Sequence, residues 1–283
     1  MPEIVVTGSS GFIGQALCRR LQAEGREVLA LSRAVGDITD AALWSSLPPA
    51  RVVVHLAASS YVPDSWAMPA KFIAANVVGT QQALDWCRRV GARMVFASAY
   101  VYGVPQNLPI RETDPVRPNN PYALSKYIGE QCCEFSARHL GVDATVLRVF
   151  NVFGCGQRAE FLFPTLISQL ASYQIRVKDL VPRRDYVYLA DVVDAFILAL
   201  DAPRGFRPIN IGSGRSHSVA EIVAALQTVA GTALPVVSDA APREHEIADV
   251  RADIGLAKQV LGWEPTFDLA AGIRDLLKEL KHE

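Results

Sequence analysis

Two things are scarce in this chain of 283 residues: long apolar runs and an excess of charge of either sign. No stretch of about 18 apolar residues occurs, which removes the usual signal of a membrane-spanning helix. Lys and Arg (28) balance Asp and Glu (29) to a net charge of -1, so no global field calls for nucleic acid or an anionic membrane as partner. Any anionic ligand must be met by local charges. Cysteine is also sparse: Cys18, Cys87, Cys132, Cys133 and Cys155 show neither paired C-x-x-C spacing nor the density of a secreted scaffold, so reduced thiols are expected. The histidines are scattered, and no metal site is inferred. The first residues enter a strand pattern without the basic and apolar regions of a signal peptide, and a soluble, cytoplasmic protein is the expectation.

What is present is a regular alternation. Apolar, β-rich runs (EIVVT, EVLALS, RVVVHLA, RMVFAS, ATVLRVF) are followed by helical patterns at Phe12 to Glu24, Ala41 to Leu47, Met68 to Val90 and Pro121 to Leu140. Short strands without polar alternation, each followed by a helix, predict a doubly wound α/β domain with a parallel sheet covered on both faces. Such sheets bind ligands at the carboxyl ends of their strands. After about residue 151 the regularity weakens into loops and shorter helices. Residues 1–150 are therefore expected to form a cofactor-binding domain, and residues 151–283 a smaller substrate lobe interleaved with it across a cleft.

After the first strand stands VVTGSSGFIG, with Gly8, Gly11 and Gly14 three residues apart. A glycine-rich turn between strand and helix lets a pyrophosphate approach the backbone and sit on the unpaired N–H groups of the helix start. A tight turn alone would also need glycine. Ser10, Phe12 and Ile13 share this loop. The second strand ends in LALSRA, with Ser32 and Arg33 where an NAD site places a carboxylate for the ribose. Hydroxyl and guanidinium suit a 2′-phosphate, which favours NADP(H); the alternative is that Arg33 is a solvated charge.

The fourth strand ends in FASAYVYG, and NPYALSK opens a helix about twenty residues later. Tyr122 and Lys126 are four apart and share a helical face, so the ammonium can approach the phenol. It would then lower the phenol from about 10 towards the working pH, making Tyr122 a usable acid or base. Ser98 would hydrogen-bond the substrate oxygen as its charge changes. Asp85, Arg88, Arg89, Glu130 and Arg138 are expected on solvated helix faces.

With these residues in place, the chain resembles the extended short-chain dehydrogenase/reductases that modify nucleotide sugars. The matching segments run nearly end to end: TGSSGFIG, GDITD, VVHLAA, NVVGT, FASAYVYG, PYALSK, LRVFNVFG, RRDYVYLADVV, NIGSG and LGWEP. The resemblance implies that Asp37 and Ile38 contact the adenine, that Leu56, Ala57 and Ala58 line the pyrophosphate and ribose, and that Asn76 steadies the base of the cofactor site. It implies that Ala97 binds the cofactor, that Val149 and Phe150 flank the nicotinamide, and that Ser98, Tyr122 and Lys126 are catalytic. Asn151 would meet the sugar or its phosphate, and Arg184 and Arg243 the diphosphate or nucleotide; for Arg243 a loop salt bridge with Glu244 or Glu246 is the alternative. A homodimer through the helices of Met68 to Val90 and Pro121 to Leu140 is implied as well.

Within the family, 4,6-dehydratases carry an Asp-Glu pair directly after the catalytic Ser or Thr. Ala99 and Tyr100 stand there instead, and neither is a carboxyl acid or base. The reducing epimerases add a cysteine just past the serine, where this chain again has Tyr100. Simple 4-ketoreduction and 4-epimerisation remain, sharing Ser98, Tyr122 and Lys126. Ser32 and Arg33 tilt the reading to an NADPH-dependent reductase, most similar to those acting on GDP-4-keto-6-deoxymannose or dTDP-4-keto-6-deoxyhexoses. An NAD-dependent 4-epimerase is the alternative, and an NADP-binding sensor without turnover a further one.

Overall fold

The computed structural model describes residues 2–240 and 247–281. Six parallel strands form the main sheet: β1 (Ile4–Thr7), β2 (Val28–Leu31), β3 (Val52–His55), β4 (Arg93–Ala99), β5 (Ala144–Val149) and β9 (Phe206–Ile211), in the order β2-β1-β3-β4-β5-β9. The register brings the ends of β1, β2 and β3 level, and β4, β5 and β9 run three residues further. Thr7 lies opposite both Leu31 and His55, and Ser98, Arg148 and Asn210 stand side by side on β4, β5 and β9.

The central strands β1, β3 and β5 bury both faces, which is why their sequences show no polar alternation. Ile4 and Val6 face a core shared with α1 (Phe12–Ala23) and α8 (Leu189–Ala199). Val5 faces the opposite core, packed with Trp44 of α2 (Ala41–Ser46), Leu84 and Trp86 of α5 (Gly79–Val90) and Cys133 of α6 (Pro121–His139). The predicted doubly wound sheet is thus the observed one.

The stretch read as one helix from Met68 to Val90 is broken. It comprises α4 (Pro69–Ile73), a π-turn at Ala74–Val78, and α5, and a short α3 (Val62–Ala67) precedes them. The wide turn carries Asn76, whose amide donates to Ser59 O and Ser125 Oγ and accepts from Ser59 N, at 2.8–2.9 Å. Hydrophobic spacing does not distinguish a π-turn from a regular one, and such turns cluster where a side chain must be re-aimed.

The remaining residues build the second lobe. β6 (Asn151–Phe153), β8 (Arg183–Tyr188) and β10 (Ser216–Ser218) form a three-stranded sheet, and β7 (Ile175–Val177) pairs with β11 (Val236–Ser238). α7 (Leu162–Ser168), α9 (Val219–Ala230) and α11 (Leu269–Glu279) close a third core around Phe153, Phe163 and Leu226. α10 (Gly255–Leu261) packs back on the first core through Ala257 and Leu261. The residue 150/151 division is therefore crossed by the chain: β9, α8 and α10 lie beyond it yet belong to the main sheet and its cover.

Candidate active site

One cleft of about 2220 Å³ runs along the carboxyl ends of the strands between the two lobes. Drug-sized ligands occupy roughly 300–1000 Å³, so this volume has room for a dinucleotide and a second large ligand together. Gly8, Ser10, Gly11, Phe12, Ile13 and Gly14 line one end. Gly8 has φ +68°, and a Cβ there would sit 2.7 Å from Ala57 N; a Cβ on Gly14 would sit 2.1 Å from Gly8 O. Only glycine lets β1, the β3 loop and α1 approach this closely. Gly11 precedes α1 with no side-chain cap, so the first N–H groups of the helix face the cleft unpaired. These residues fit the pyrophosphate of a dinucleotide.

Ser32, Arg33, Asp37 and Ile38 line the same end, as do Leu56, Ala57 and Ala58. Arg33 is exposed. The Asp37 carboxylate accepts from the backbone N–H and the hydroxyl of Thr39, both at 2.9 Å; these bonds hold it below the usual carboxylate range, with a smaller contribution from Arg33.

Further along, the cleft is lined by Ala97, Ser98, Tyr122, Lys126, Val149, Phe150 and Asn151. Asn120 caps α6, its side chain accepting from Ala123 N at 2.8 Å, and Pro121 follows in the first turn. This start places Tyr122 at the cleft and Lys126 one turn deeper. The lysine does not lower the phenol here. Burial pushes Tyr122 up to about 12 and Lys126 down to about 8, and the ammonium lies over the ring of Phe96, 4.2 Å from its centre. Desolvation is the cause of the Tyr122 shift, so the phenol is held protonated.

Ser98 points to a residue read from sequence as solvated. Glu130 is 1 % exposed, and its carboxylate accepts from Ser98 Oγ at 2.5 Å. It also takes Nε and Nη2 of Arg148 at 2.7–3.1 Å. Arg148 Nη1 donates to Tyr102, which donates to Asn210 Oδ1 at 2.6 Å. The expectation for Glu130 is corrected: Tyr122, Lys126 and Glu130 form an i, i+4, i+8 series on one helical face, which starts half-buried at the cleft and is buried at Lys126 and Glu130. Asp85, Arg88, Arg89 and Arg138 are exposed. The Arg in the apolar run TVLRVF was the signal for a buried partner.

Tyr100 packs edge-on against Phe150, with ring centres 5.5 Å apart, and donates its hydroxyl hydrogen to Gly103 O. Burial drives its phenol up, so it supplies no acid or base at neutral pH. Asn76 lies outside the cleft lining, beneath Ser59 and α6. Arg184 lines the cleft and donates to Arg183 O at 2.8 Å and to Ile247 O at 2.5 Å. Arg243 lies outside the described residues. The second-lobe side of the cleft also holds Arg158, Arg176 on β7 and Lys178, none of which is singled out by a sequence motif. His55, fully buried behind the site, bonds Thr7 Oγ1 at 2.9 Å, and burial, with the Lys126 charge, pushes it down to about 3.

The family model described as the NAD dependent epimerase/dehydratase family matches residues 4–212. A UDP-glucose 4-epimerase of Streptococcus mutans is 31% identical over 94% of this chain and 92% of its own. A GDP-6-deoxy-D-mannose reductase of Pseudomonas aeruginosa is 30% identical over 98% of this chain and 96% of its own. Among solved structures, RMD from Pseudomonas aeruginosa complexed with NADPH aligns with a TM-score of 0.89 at 28% identity, covering 100% of this chain and 99% of that one.

Proposed function

Since this chain belongs to the NAD dependent epimerase/dehydratase family of nucleotide-sugar enzymes, we propose that it reduces the 4-keto group of a GDP- or dTDP-linked 4-keto-6-deoxyhexose at the expense of NADPH. The observation that carries this reading is the end of β2, where Ser32 and Arg33 line the cleft in place of a ribose-binding carboxylate. A carboxylate there would repel a 2′-phosphate, whereas a hydroxyl and a guanidinium bind one. The nearby Asp37 is turned onto Thr39.

When bound, the nicotinamide supplies the hydride. Tyr122, protonated to about pH 12, gives its proton to the carbonyl oxygen as the carbon is reduced. Lys126 carries its charge near neutral pH and stabilises the phenolate left behind. Ser98 fixes the position of the reacting oxygen, and Arg184 with the cations of the second lobe meets the diphosphate. Ala99 and Tyr100 leave no carboxyl group for elimination of water, so the reaction stops at reduction.

Similarity to the Streptococcus mutans epimerase supports a second reading, NAD-dependent 4-epimerisation with the same three residues. Stoichiometry separates the two. Incubation with GDP-, dTDP- and UDP-linked 4-ketosugars should consume one NADPH per product, with NADPH favoured over NADH about tenfold or more in kcat/KM, and Arg33→Ala should abolish that preference. Epimer exchange of a UDP-sugar without net cofactor consumption, or a preference that survives Arg33→Ala, would overturn the reductase assignment.

We also propose a homodimer, supported by Ile73, Val78, Leu124 and Phe135, which are 38–58% exposed on α4, the π-turn and α6. A monomeric mass in solution would contradict it.

A further inference from the structure

Lys126 is 2 % exposed, and an ammonium so deeply placed keeps its charge only against a group that favours it. Glu130, one turn further along α6, is already taken up by Arg148. The ammonium lies instead over the ring of Phe96, 4.2 Å from its centre. The fold holds that ring from several sides. His55 on β3 lies nearly parallel to it, with centres 6.0 Å and planes 16° apart, and is itself bonded to Thr7. On α6 the bare Gly129 leaves the ring its space, since a Cβ there would come within 2.8 Å of Phe96 Cζ. Phe96 also stands two residues before Ser98 on β4, so the two side chains leave the same face of the sheet.

We propose that Phe96 is a positioning residue: its ring face, held by His55 and Gly129, seats the Lys126 ammonium and keeps it charged beside Tyr122. The face of an aromatic ring carries negative charge density and attracts a cation, most strongly where water is excluded. A leucine would fill the core with similar volume but offers no such face. Burial brings Lys126 down to about 8, so even a modest attraction decides its charge near neutral pH. On α6 the other titratable groups near it are Tyr122, Glu130 and Cys133, and His55 faces it from β3 in its neutral form. Arg148 of β5 is paired with Glu130, and Asp64 of α3, Lys71 of α4 and Asp85 of α5 are exposed. Arg93 and Arg207 stand at the far, amino ends of β4 and β9.

The test places phenylalanines carrying one, two and three fluorine atoms at position 96. Fluorine draws charge density from the ring face and leaves the shape of the side chain nearly unchanged, so packing is held constant. The lysines are isotopically labelled at Cε and titrated by NMR, with the Lys126 signal identified by its loss in Lys126→Met. Its midpoint should fall with each fluorine, by about half a unit to one and a half units of pH at three. Phe96→Leu should shift it at least as far. Lys126 loses its proton as pH rises through its midpoint, so kcat, on whichever nucleotide sugar the wild type turns over, should decline at correspondingly lower pH. The midpoint of that decline is the quantity read, because a disturbance of packing alone would lower the plateau without a graded shift.

The proposal rests on the catalytic reading of Lys126, and the two readouts keep their failures apart. A midpoint that ignores fluorine overturns the role of the ring, whatever the activity, and leaves Phe96 a packing residue. A graded NMR shift with the decline of kcat unmoved supports the ring as the seat of the ammonium and overturns the catalytic role of the charge. A wild type without turnover overturns the reductase reading, and the NMR midpoints still decide for or against the ring.

Discussion

Replacing Tyr122 by Phe is expected to lower kcat about a thousandfold, in the middle of the range for loss of a general acid, and to leave the affinity for NADPH within about twofold. The two quantities separate on the proposed reading, in which the phenol hydroxyl acts on the substrate oxygen and the glycine loop and the end of β2 hold the dinucleotide. The ring itself packs edge-on against Phe72, with centres 6.3 Å apart, and that contact survives in phenylalanine. Retained folding is therefore expected, and circular dichroism with a melting curve checks it. Full turnover by Tyr122→Phe would transfer the proton donor's role to another group and overturn the mechanism. A wild type that turns over no ketosugar, with NADPH binding unchanged in Tyr122→Phe, would favour a sensor.

A comparably large effect is expected from a single methyl group. Gly14→Ala places a carbon 2.1 Å from Gly8 O and 2.9 Å from Ser9 Cα, well inside contact distance, and both are backbone atoms of the glycine loop. Helix propensity runs the other way, because alanine within α1 is favoured by about 1 kcal/mol over glycine. The clash wins, since a rotamer change cannot relieve contact with a main-chain carbonyl. The loop must move away from α1, and the N–H groups that meet the pyrophosphate move with it. Cofactor affinity should fall at least about a hundredfold, read by fluorescence titration, with a smaller loss of thermal stability. Wild-type affinity in Gly14→Ala would mean that the pyrophosphate does not rest there.

Much of this could be read from the chain before its fold was known. The five strand runs are observed strands, because parallel strands buried on both faces are continuous apolar segments. The helix opened by Asn120 and Pro121 begins where its capping residues require. Three features were less legible, each for a local physical reason. The π-turn at Ala74–Val78 leaves no trace in apolar spacing, so Asn76 could be assigned a role only by resemblance. Lys126 was expected to lower the phenol of Tyr122, but the outcome depends on burial, and sequence does not show that Phe96 takes the ammonium. Glu130 was judged by its charge and placed in solvent. Its position two turns beyond Tyr122, together with an arginine inside an apolar strand, was the better guide to where it lies.

The place of β9 bears on how the protein is made. The edge of β5 is closed only by residues Phe206–Ile211, about 60 residues later in the chain, so a ribosome working at about 5–20 residues per second exposes that edge for several seconds. During this interval β4 and β5 already carry Ser98 and Arg148, but Asn210 has not been synthesised. The nascent sheet thus presents an unpaired strand holding a buried-type arginine, open to pairing with neighbouring chains. Completion of the Ser98, Arg148 and Asn210 row and protection of the sheet edge arrive in the same step.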